Sequence, residues 1–255
     1  MREGTPEETG EQVLRGGFVN RVVRVGDTVR RRPTARSAFV AELLAHFAAH
    51  GWRGAPRRLG RDEQGREVFG YVAGRVALEP GEQAAARSPE CLAEVARLVR
   101  EFHDLTSGTP LAAGAEVVCH NDLSPRNTVY AVDADGWRPL ALIDWDIAAP
   151  GRRVQDVAHL CWQYLGLGPG VTDVAEAARG IALIRAAYGL DPGEPLLDTV
   201  LWWQDRCLRG IAAGAERGDP AMSLLRERGV VEEVRAAHAW TAAHRDALDP
   251  PRPAG

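Results

Sequence analysis

The chain contains no lysine, because all 31 of its basic residues are arginine. This absence excludes every mechanism that needs a lysine side chain, including Schiff-base chemistry. Cysteine is scarce as well, and the four that occur lack the paired CxxC spacing of redox and zinc motifs: Cys91, Cys119, Cys161 and Cys207. We therefore expect buried free thiols and neither a disulfide framework nor a zinc site.

Long hydrophobic segments are also missing. The longest apolar runs, such as Ile181–Ile184 and Thr199–Trp203, are far too short to span a bilayer. The amino end is polar and acidic and does not have the pattern of a secretory signal, so we expect a cytoplasmic protein without a membrane partner. A net charge of −4 argues against nucleic acid as a partner. The composition, 45% hydrophobic and 26% charged, is that of an ordinary globular protein.

The amino-terminal part reads as a small β-rich lobe. Short alternating segments between Gln12 and Arg32, interrupted by the turn pair Gly26-Asp27, predict an antiparallel meander. One amphipathic helix is predicted over Ala38–His50, and two more strands are predicted within Arg57–Val72. Glycine and proline then break the pattern, which places a lobe boundary near Ala73–Gly81.

The remainder reads as a larger, mainly helical lobe. Ser88 followed by Pro89 is a typical helix start, and apolar residues follow at helical spacing up to Leu105. Two short strands, Thr128–Val132 and Leu140–Ile143, predict a β-hairpin. Further helices are predicted at four places: Val154–Leu165, Thr172–Tyr188, Pro195–Glu216, and one or two between Met222 and Leu248. The fold class is therefore α+β, with lobes at 1–73 and 74–255 and a cleft between them.

A group of polar residues surrounds the predicted hairpin. His120, Asp122 and Asn127 fit the H-x-D-x-x-x-x-N pattern of kinase catalytic loops, directly before the first strand. Asp144 follows the second strand, and a hairpin returns its end close to its start, so Asp144 should approach Asn127. Phosphoryl transfer needs such groups: a carboxylate that accepts the hydroxyl proton, and oxygen ligands for magnesium. We assign Asp122 as the base and Asn127 with Asp144 as the metal ligands.

These motifs resemble those of the aminoglycoside phosphotransferase and choline kinase-like superfamily, which are relatives of protein kinases. The segment HNDLSPRN is similar to the family pattern HGDLxxxN, and LIDWDIAAPGRRVQDVAHL is similar to IDWxxAGxGDxxxDLA. The resemblance implies a two-lobed protein kinase-like fold, ATP or GTP as cosubstrate, Mg²⁺, and a small-molecule hydroxyl as acceptor. It also implies that Asp156 braces the catalytic loop and that His120 is structural. The acceptor, the choice of nucleotide and the oligomeric state stay open.

The resemblance places nucleotide contacts in the amino-terminal lobe. Gly16 and Gly17 lie where the family has its phosphate-covering loop, and the segment Phe69, Gly70, Tyr71 and Val72 lies where adenine meets the linker. Most kinases supply a lysine from the third strand. Strand alternation favours Arg31 for this role, with Arg30 as the second choice. Glu42 on the following helix is the expected carboxylate partner of that arginine, although a surface glutamate is an equally good interpretation.

Two questions remain open at this stage. The missing lysine is compatible with an inactive pseudokinase, although the intact set of Asp122, Asn127 and Asp144 favours an enzyme. Helical aromatic residues could box a quaternary ammonium and helical carboxylates could bind a polycation, although core packing and solvated helix faces explain both sets as well. The aromatic set is Trp162, Tyr164, Trp202, Trp203 and Trp240, and the acidic set is Asp205, Glu216, Asp219, Glu232 and Glu233.

Overall fold

The structure is a computed structural model, which describes residues 10–14, 22–134 and 136–249. Its amino-terminal part is a five-stranded antiparallel sheet with spatial order β1-β2-β3-β5-β4 and one helix, α1. The strands are β1 (Gln12–Val13), β2 (Val23–Val25), β3 (Thr28–Arg31), β4 (Arg58–Arg61) and β5 (Glu67–Gly70), and α1 is Ser37–Ala49. The predicted meander, helix and strand pair are therefore confirmed in type and order.

The second part is mainly helical, as the sequence predicts. Its longest elements are α3 (Pro89–Thr106), α4 (Arg153–Leu165), α5 (Val174–Tyr188), α6 (Leu196–Glu216) and α8 (Val230–Ala243). Shorter helices are α2 (Pro80–Ala85), α7 (Pro220–Glu227) and α9 (Arg245–Leu248). Up to residue 249, where the described part ends, three helices follow α6 where one or two were expected. The Ser88 hydroxyl accepts a hydrogen bond from the Cys91 amide and caps α3, as its sequence predicts.

Two small sheets position the loop at 120–127, which is the candidate catalytic loop. The predicted hairpin is formed by β8 (Thr128–Asp133) and β9 (Gly136–Leu142), and β6 (Arg75–Val76) pairs with the outer side of β8. Strand β7 (Val117–Cys119) leads into the catalytic loop and pairs antiparallel with β10 (Ala149–Gly151), just beyond Asp144. The loop thus runs between two ladders that fix both of its ends.

An aromatic cluster joins α1 to the helical lobe. Phe47 of α1 packs against Trp145 and Phe102, with ring centroids 5.2 and 6.2 Å apart, and Trp52 packs 4.7 Å from Phe47. Backbone bonds add to the junction, because the Leu142 amide donates to the Gly54 carbonyl over 2.8 Å. The four rings therefore hold α1 against the segment that carries Asp144.

No helix among the described residues is both long and apolar enough to cross a membrane. The four cysteines are free thiols, as the sequence predicts. Cys91, Cys119 and Cys161 are buried as expected, whereas Cys207 is half-buried.

We predict that Phe102→Ala lowers the free energy of unfolding by about 3–5 kcal/mol, because this fully buried ring contacts three others of the cluster. Urea denaturation measures the change. The matched control is Leu59→Ala at a largely exposed position, expected to change stability by less than about 0.5 kcal/mol. A loss below about 1 kcal/mol in Phe102→Ala would show that the cluster does not stabilise the lobe junction.

Candidate active site

Asp122 and Asn127 are held together within the catalytic loop. A short 3-10 turn at Pro125–Asn127 folds the loop back on itself. As a result, the side-chain nitrogen Nδ2 of Asn127 donates a hydrogen bond to the Asp122 backbone carbonyl over 2.9 Å. The same nitrogen donates to Asp122 Oδ2 over 2.8 Å. Because both bonds use the nitrogen, the amide oxygen of Asn127 faces away from Asp122 and is the atom that can bind a cation.

The hairpin brings Asp144 to this loop. The Ile143 amide donates to the Asn127 carbonyl over 2.9 Å, so the residue that follows Ile143 lies beside the metal-ligand candidate. Asp144 has a left-handed backbone with φ of 65°, which is unusual for a residue other than glycine. Such conformations persist where the surrounding structure enforces them, and they cluster at functional sites.

The environment changes the acidity of both carboxyls. Burial raises the pKa of Asp122 to about 7, and the neighbouring Asp144 carboxylate adds to the shift while the Asn127 hydrogen bond opposes it. The pKa of Asp144 is raised as well, by partial desolvation of its half-exposed side chain and by the neighbouring Asp146 carboxylate, and Arg31 opposes this shift. A base with a pKa near neutrality is well matched to accepting a proton at physiological pH.

The buried carboxylate of Asp156, on α4, binds the backbone at the start of the catalytic loop. Its oxygens accept hydrogen bonds from the backbone amides of His120 and Asn121, over 2.6 and 2.9 Å. His103 Nε2 lies 3.1 Å from Oδ2 and completes the set. Burial alone would raise the pKa of Asp156, but its bonds from His103 and the loop lower it, so the carboxylate stays ionised.

His120 has a structural environment. The Asp122 amide donates to its Nδ1 over 3.3 Å, so the proton lies on Nε2, which faces the Ile143 carbonyl over 3.1 Å. Burial lowers the pKa of His120 to about 4, and its ring packs 4.4 Å from Trp145. A neutral histidine thus links the loop that carries Asp122 to the strand end that carries Asp144.

Arg31 of β3 reaches the same place from the other lobe. Its Nη1 lies 3.8 Å from Asp144 Oδ1, and its Nη2 lies 2.5 Å from Asp146 Oδ1. Arg30 points elsewhere, because its Nη1 is 3.5 Å from Asp62 in the β4–β5 turn. The structure therefore brings Arg31, and not Arg30, to the carboxylates. Asp146, two residues beyond Asp144, is an ion-pair partner of Arg31.

The expected pair of Arg31 with Glu42 is corrected by the structure. Glu42 is exposed on α1 and forms no ion pair within the described part of the chain. The third acidic partner of Arg31 is Glu67 of β5, whose Oε2 lies 3.6 Å from Arg31 Nε. The reason is strand pairing, since Arg31 and Glu67 are directly opposite in the β3–β5 ladder.

The predicted linker segment lies beside Arg31. Phe69 is buried in β5 with its ring 5.0 Å from the Arg31 guanidinium, and the amides of Gly70 and Tyr71 donate to the carbonyls of Arg57 and Asp27. Val72, the fourth predicted contact, directly follows and is half-buried. Gly16 and Gly17 lie outside the described residues.

The aromatic candidates for an ammonium box are mostly core residues. Tyr164 is buried with its hydroxyl bonded to Thr128, and Trp162 and Trp203 are buried as well. Trp240 stacks on His244. Trp202 is exposed, but the guanidinium of Arg206 lies 5.4 Å from its ring centroid.

The acidic candidates are largely engaged locally. Asp205 pairs with Arg209, Asp219 caps α7, and Glu232 pairs with Arg235. Glu216 and Glu233 are exposed on helices α6 and α8. Neither set forms a ready site for a cationic acceptor in the described structure.

Two residues that contact the candidate site were not predicted from the sequence, His103 and Glu67. His103 looks like one more residue of an amphipathic helix, and only its contacts with Asp156 and with the Tyr188 hydroxyl at 2.7 Å reveal its place. Glu67 reads as an ordinary strand residue. Its burial within a charged cluster depends on β-ladder register, for which the sequence gives no signal.

The raised pKa of Asp122 generates a stability prediction. The folded state holds this proton more tightly than an ordinary carboxyl with a pKa of 3.8, so ionisation costs folding free energy as pH rises through about 7. Asp122→Asn should therefore be more stable than the wild type near pH 8, by at least about 1 kcal/mol, with a gap that narrows toward about pH 5.

Chemical denaturation at several pH values measures this gap. The control is Asp27→Asn, which makes the same substitution at an exposed turn position and is measured in the same series. A gap for Asp122→Asn that is absent, or that widens as the pH falls, would contradict the described environment of this carboxyl.

Comparisons with known proteins show the family of the chain. Residues 11–113 and 107–196 match the model of a family described as the phosphotransferase enzyme family. The trifolitoxin immunity protein of Rhizobium leguminosarum bv. trifolii is 30% identical over 207 residues, which cover 71% of this chain and 74% of that protein.

Solved structures show the fold. An ethanolamine kinase of Plasmodium vivax superposes with a TM-score of 0.65 at 12% identity, covering 93% of this chain and 83% of that one. An aminoglycoside phosphotransferase of Streptomyces rimosus, in complex with ADP and streptomycin, gives 0.57 at 16% identity, covering 78% and 91%. The predicted two-lobed, protein kinase-like fold is thus confirmed, and the chain belongs to the phosphotransferase enzyme family.

Proposed function

We propose that this protein transfers the terminal phosphoryl group of ATP or GTP to a hydroxyl group of a small molecule, with Asp122 as the catalytic base. The observation that carries the proposal is the convergence of Asp122, Asn127 and Asp144 at one end of the hairpin, within reach of Arg31. A base, two oxygen ligands and a phosphate-binding cation are the groups that this reaction needs.

Asp122 orients and deprotonates the acceptor. Its Oδ2 accepts the Asn127 hydrogen bond, which leaves Oδ1 to accept the proton of the incoming hydroxyl. The hydroxyl oxygen forms its bond to phosphorus as the bond to the bridging oxygen breaks, and the nucleoside diphosphate departs with that electron pair. Because Asp122 must be ionised for this step, transfer should slow as the pH falls below about 7.

The residues around Asp144 suit a magnesium nucleotide. The carboxylate of Asp144 and the amide oxygen of Asn127 are hard oxygen donors of the type that Mg²⁺ takes, and the ion would neutralise charge on the transferred phosphoryl group. Arg31 directs Nη1 toward Asp144 and Nη2 toward the neighbouring Asp146, and a planar guanidinium can bind phosphate oxygens bidentately. The linker around Phe69, Gly70, Tyr71 and Val72 is the proposed nucleobase contact.

For the acceptor we propose a hydroxyl-bearing antibiotic of the aminoglycoside type, or an amino-alcohol or sugar metabolite. Streptomycin is bound in the Streptomyces rimosus neighbour, and the Plasmodium vivax neighbour is an ethanolamine kinase. A mass-spectrometric screen of such compounds with ATP and with GTP tests the proposal. Gain of one phosphate by an acceptor supports it, whereas no phosphorylated product with either nucleotide would favour an inactive pseudokinase.

A second candidate function is protection against a toxin. It is favoured by the 30% identity with a protein named for immunity to trifolitoxin. Expression in toxin-sensitive cells tests it with the wild type and Asp122→Ala side by side. Resistance that disappears with Asp122→Ala indicates phosphorylation of the toxin, while resistance that persists indicates protection by binding.

We predict that Asp144→Ala abolishes magnesium-dependent nucleotide binding, because this carboxylate is one of the two proposed ligands. Calorimetric titration with a non-hydrolysable ATP or GTP analogue, with and without Mg²⁺, measures the effect. The matched control is Asp191→Ala, which alters an exposed carboxylate in the loop before α6. Magnesium-dependent affinity that survives unchanged in Asp144→Ala would show that the ion binds elsewhere.

A further inference from the structure

We propose that Glu67 of β5 is the positioning residue for the phosphate-binding arginine, so that the sheet and not helix α1 sets where this cation lies. The inference rests on the proposed function only in requiring that a nucleotide binds beside Arg31. It concerns a residue to which neither the sequence motifs nor the family resemblance assigns a role.

The register of the sheet places Glu67 beside Arg31. Arg31 and Glu67 are direct partners in the antiparallel β3–β5 ladder, so their side chains leave the same face at neighbouring points. Phe69, two residues beyond Glu67, lies on that face as well and places its ring 5.0 Å from the guanidinium. The strand β5 thus presents a carboxylate and an aromatic ring to one arginine.

Glu67 is a buried, charged residue that needs a partner of opposite charge. The Glu67 side chain is only 1% exposed, and an unpaired carboxylate buried to this extent would be strongly destabilising. Its charge is balanced by Arg31 Nε at 3.6 Å and by Arg58 Nε at 3.9 Å. Neither Arg31 Nε nor Glu67 Oε2 has a hydrogen-bond partner in the described part of the chain, and the two atoms lie 3.6 Å apart with opposite charges.

The terminal nitrogens of the Arg31 guanidinium point into the cleft. Glu67 faces the Nε edge of Arg31, while Nη1 and Nη2 point toward Asp144 and Asp146 in the cleft. An arginine held by its Nε edge keeps its two terminal nitrogens available as a fork for phosphate oxygens. A lysine has no such second edge, which gives a physical reason why arginine can serve at this position with a carboxylate behind it.

Helix α1, which the structure describes in full, does not supply a carboxylate to Arg31. Its one candidate carboxylate, Glu42, is exposed, and the helix is fixed to the helical lobe by Phe47 within the aromatic cluster. His46 of the same helix contacts the Leu105 carbonyl over 2.7 Å. Helix α1 therefore serves as a rigid part of the lobe junction, and the cation is placed by strands that pair with its own strand.

The test compares Glu67→Gln with two matched controls. Glu42→Gln removes the carboxylate that the helix would supply, and Arg58→Gln removes the other ion partner of Glu67 while leaving its pair with Arg31. The affinity of each folded variant for a non-hydrolysable nucleotide analogue with Mg²⁺ is measured by calorimetry, and its melting temperature is recorded alongside.

We expect Glu67→Gln to weaken nucleotide binding about tenfold or more, as loss of a charge-assisted contact typically does, and both controls to stay within about twofold. Glu67→Asp keeps the charge at a shorter reach, so it should fall between the wild type and Glu67→Gln, and it replaces Glu67→Gln if that variant does not fold. Unchanged affinity in Glu67→Gln, or a tenfold loss in Glu42→Gln, would overturn the proposal. A wild-type protein that binds neither nucleotide would instead overturn the proposed function.

Discussion

The active-site geometry depends on one buried carboxylate, that of Asp156. Its two oxygens accept hydrogen bonds from consecutive backbone amides at the start of the catalytic loop and lie against His103 of α3. This arrangement ties the loop to three helices at once, because Asp156 lies on α4, and His103 of α3 also contacts the Tyr188 hydroxyl of α5. A backbone fixed at His120 and Asn121 leaves Asp122 little freedom, and the internal bond from Asn127 removes most of what remains.

The second constraint is that side chains from both lobes meet at one site. The helical lobe supplies Asp122, Asn127 and Asp144, while the sheet supplies Arg31, and the Arg31–Asp144 ion pair spans the cleft between them. The aromatic cluster around Phe47 and Trp145 keeps α1 against this junction. The structure therefore separates two tasks: the cluster and α1 hold the lobes together, and the strands β3 and β5 orient the cation.

The sequence predicted those features that local patterns encode. Helices α3 to α6 and the hairpin follow from apolar periodicity and turn residues, and the site residues of the helical lobe lie within one loop and one hairpin, so spacing alone indicated their proximity. Alternation along β3 favoured Arg31 over Arg30, and the structure places Arg31 beside Asp144. The expected partner Glu42 was wrong because the choice depended on which strand pairs with β3, a non-local property.

Other elements were missed for similar reasons. Strands β6, β7 and β10 have only two or three residues and owe their existence to distant partners, so they carry no periodicity of their own. Asn121, with a left-handed φ of 66°, occupies a position where the family pattern has glycine, and its side chain compensates by donating to the Ile147 carbonyl over 3.0 Å. Such compensation becomes visible only once the loop is folded.

The central claim is that Asp122 acts as the base in phosphoryl transfer within this framework. The most direct measurement is the transfer of the terminal phosphate of labelled nucleotide to an acceptor, compared between the wild type and Asp122→Ala at saturating nucleotide and magnesium. The account predicts that turnover falls by about 10²–10⁴-fold while nucleotide affinity and the melting temperature show that the site and the fold are intact. Turnover close to that of the wild type in the folded variant would contradict it.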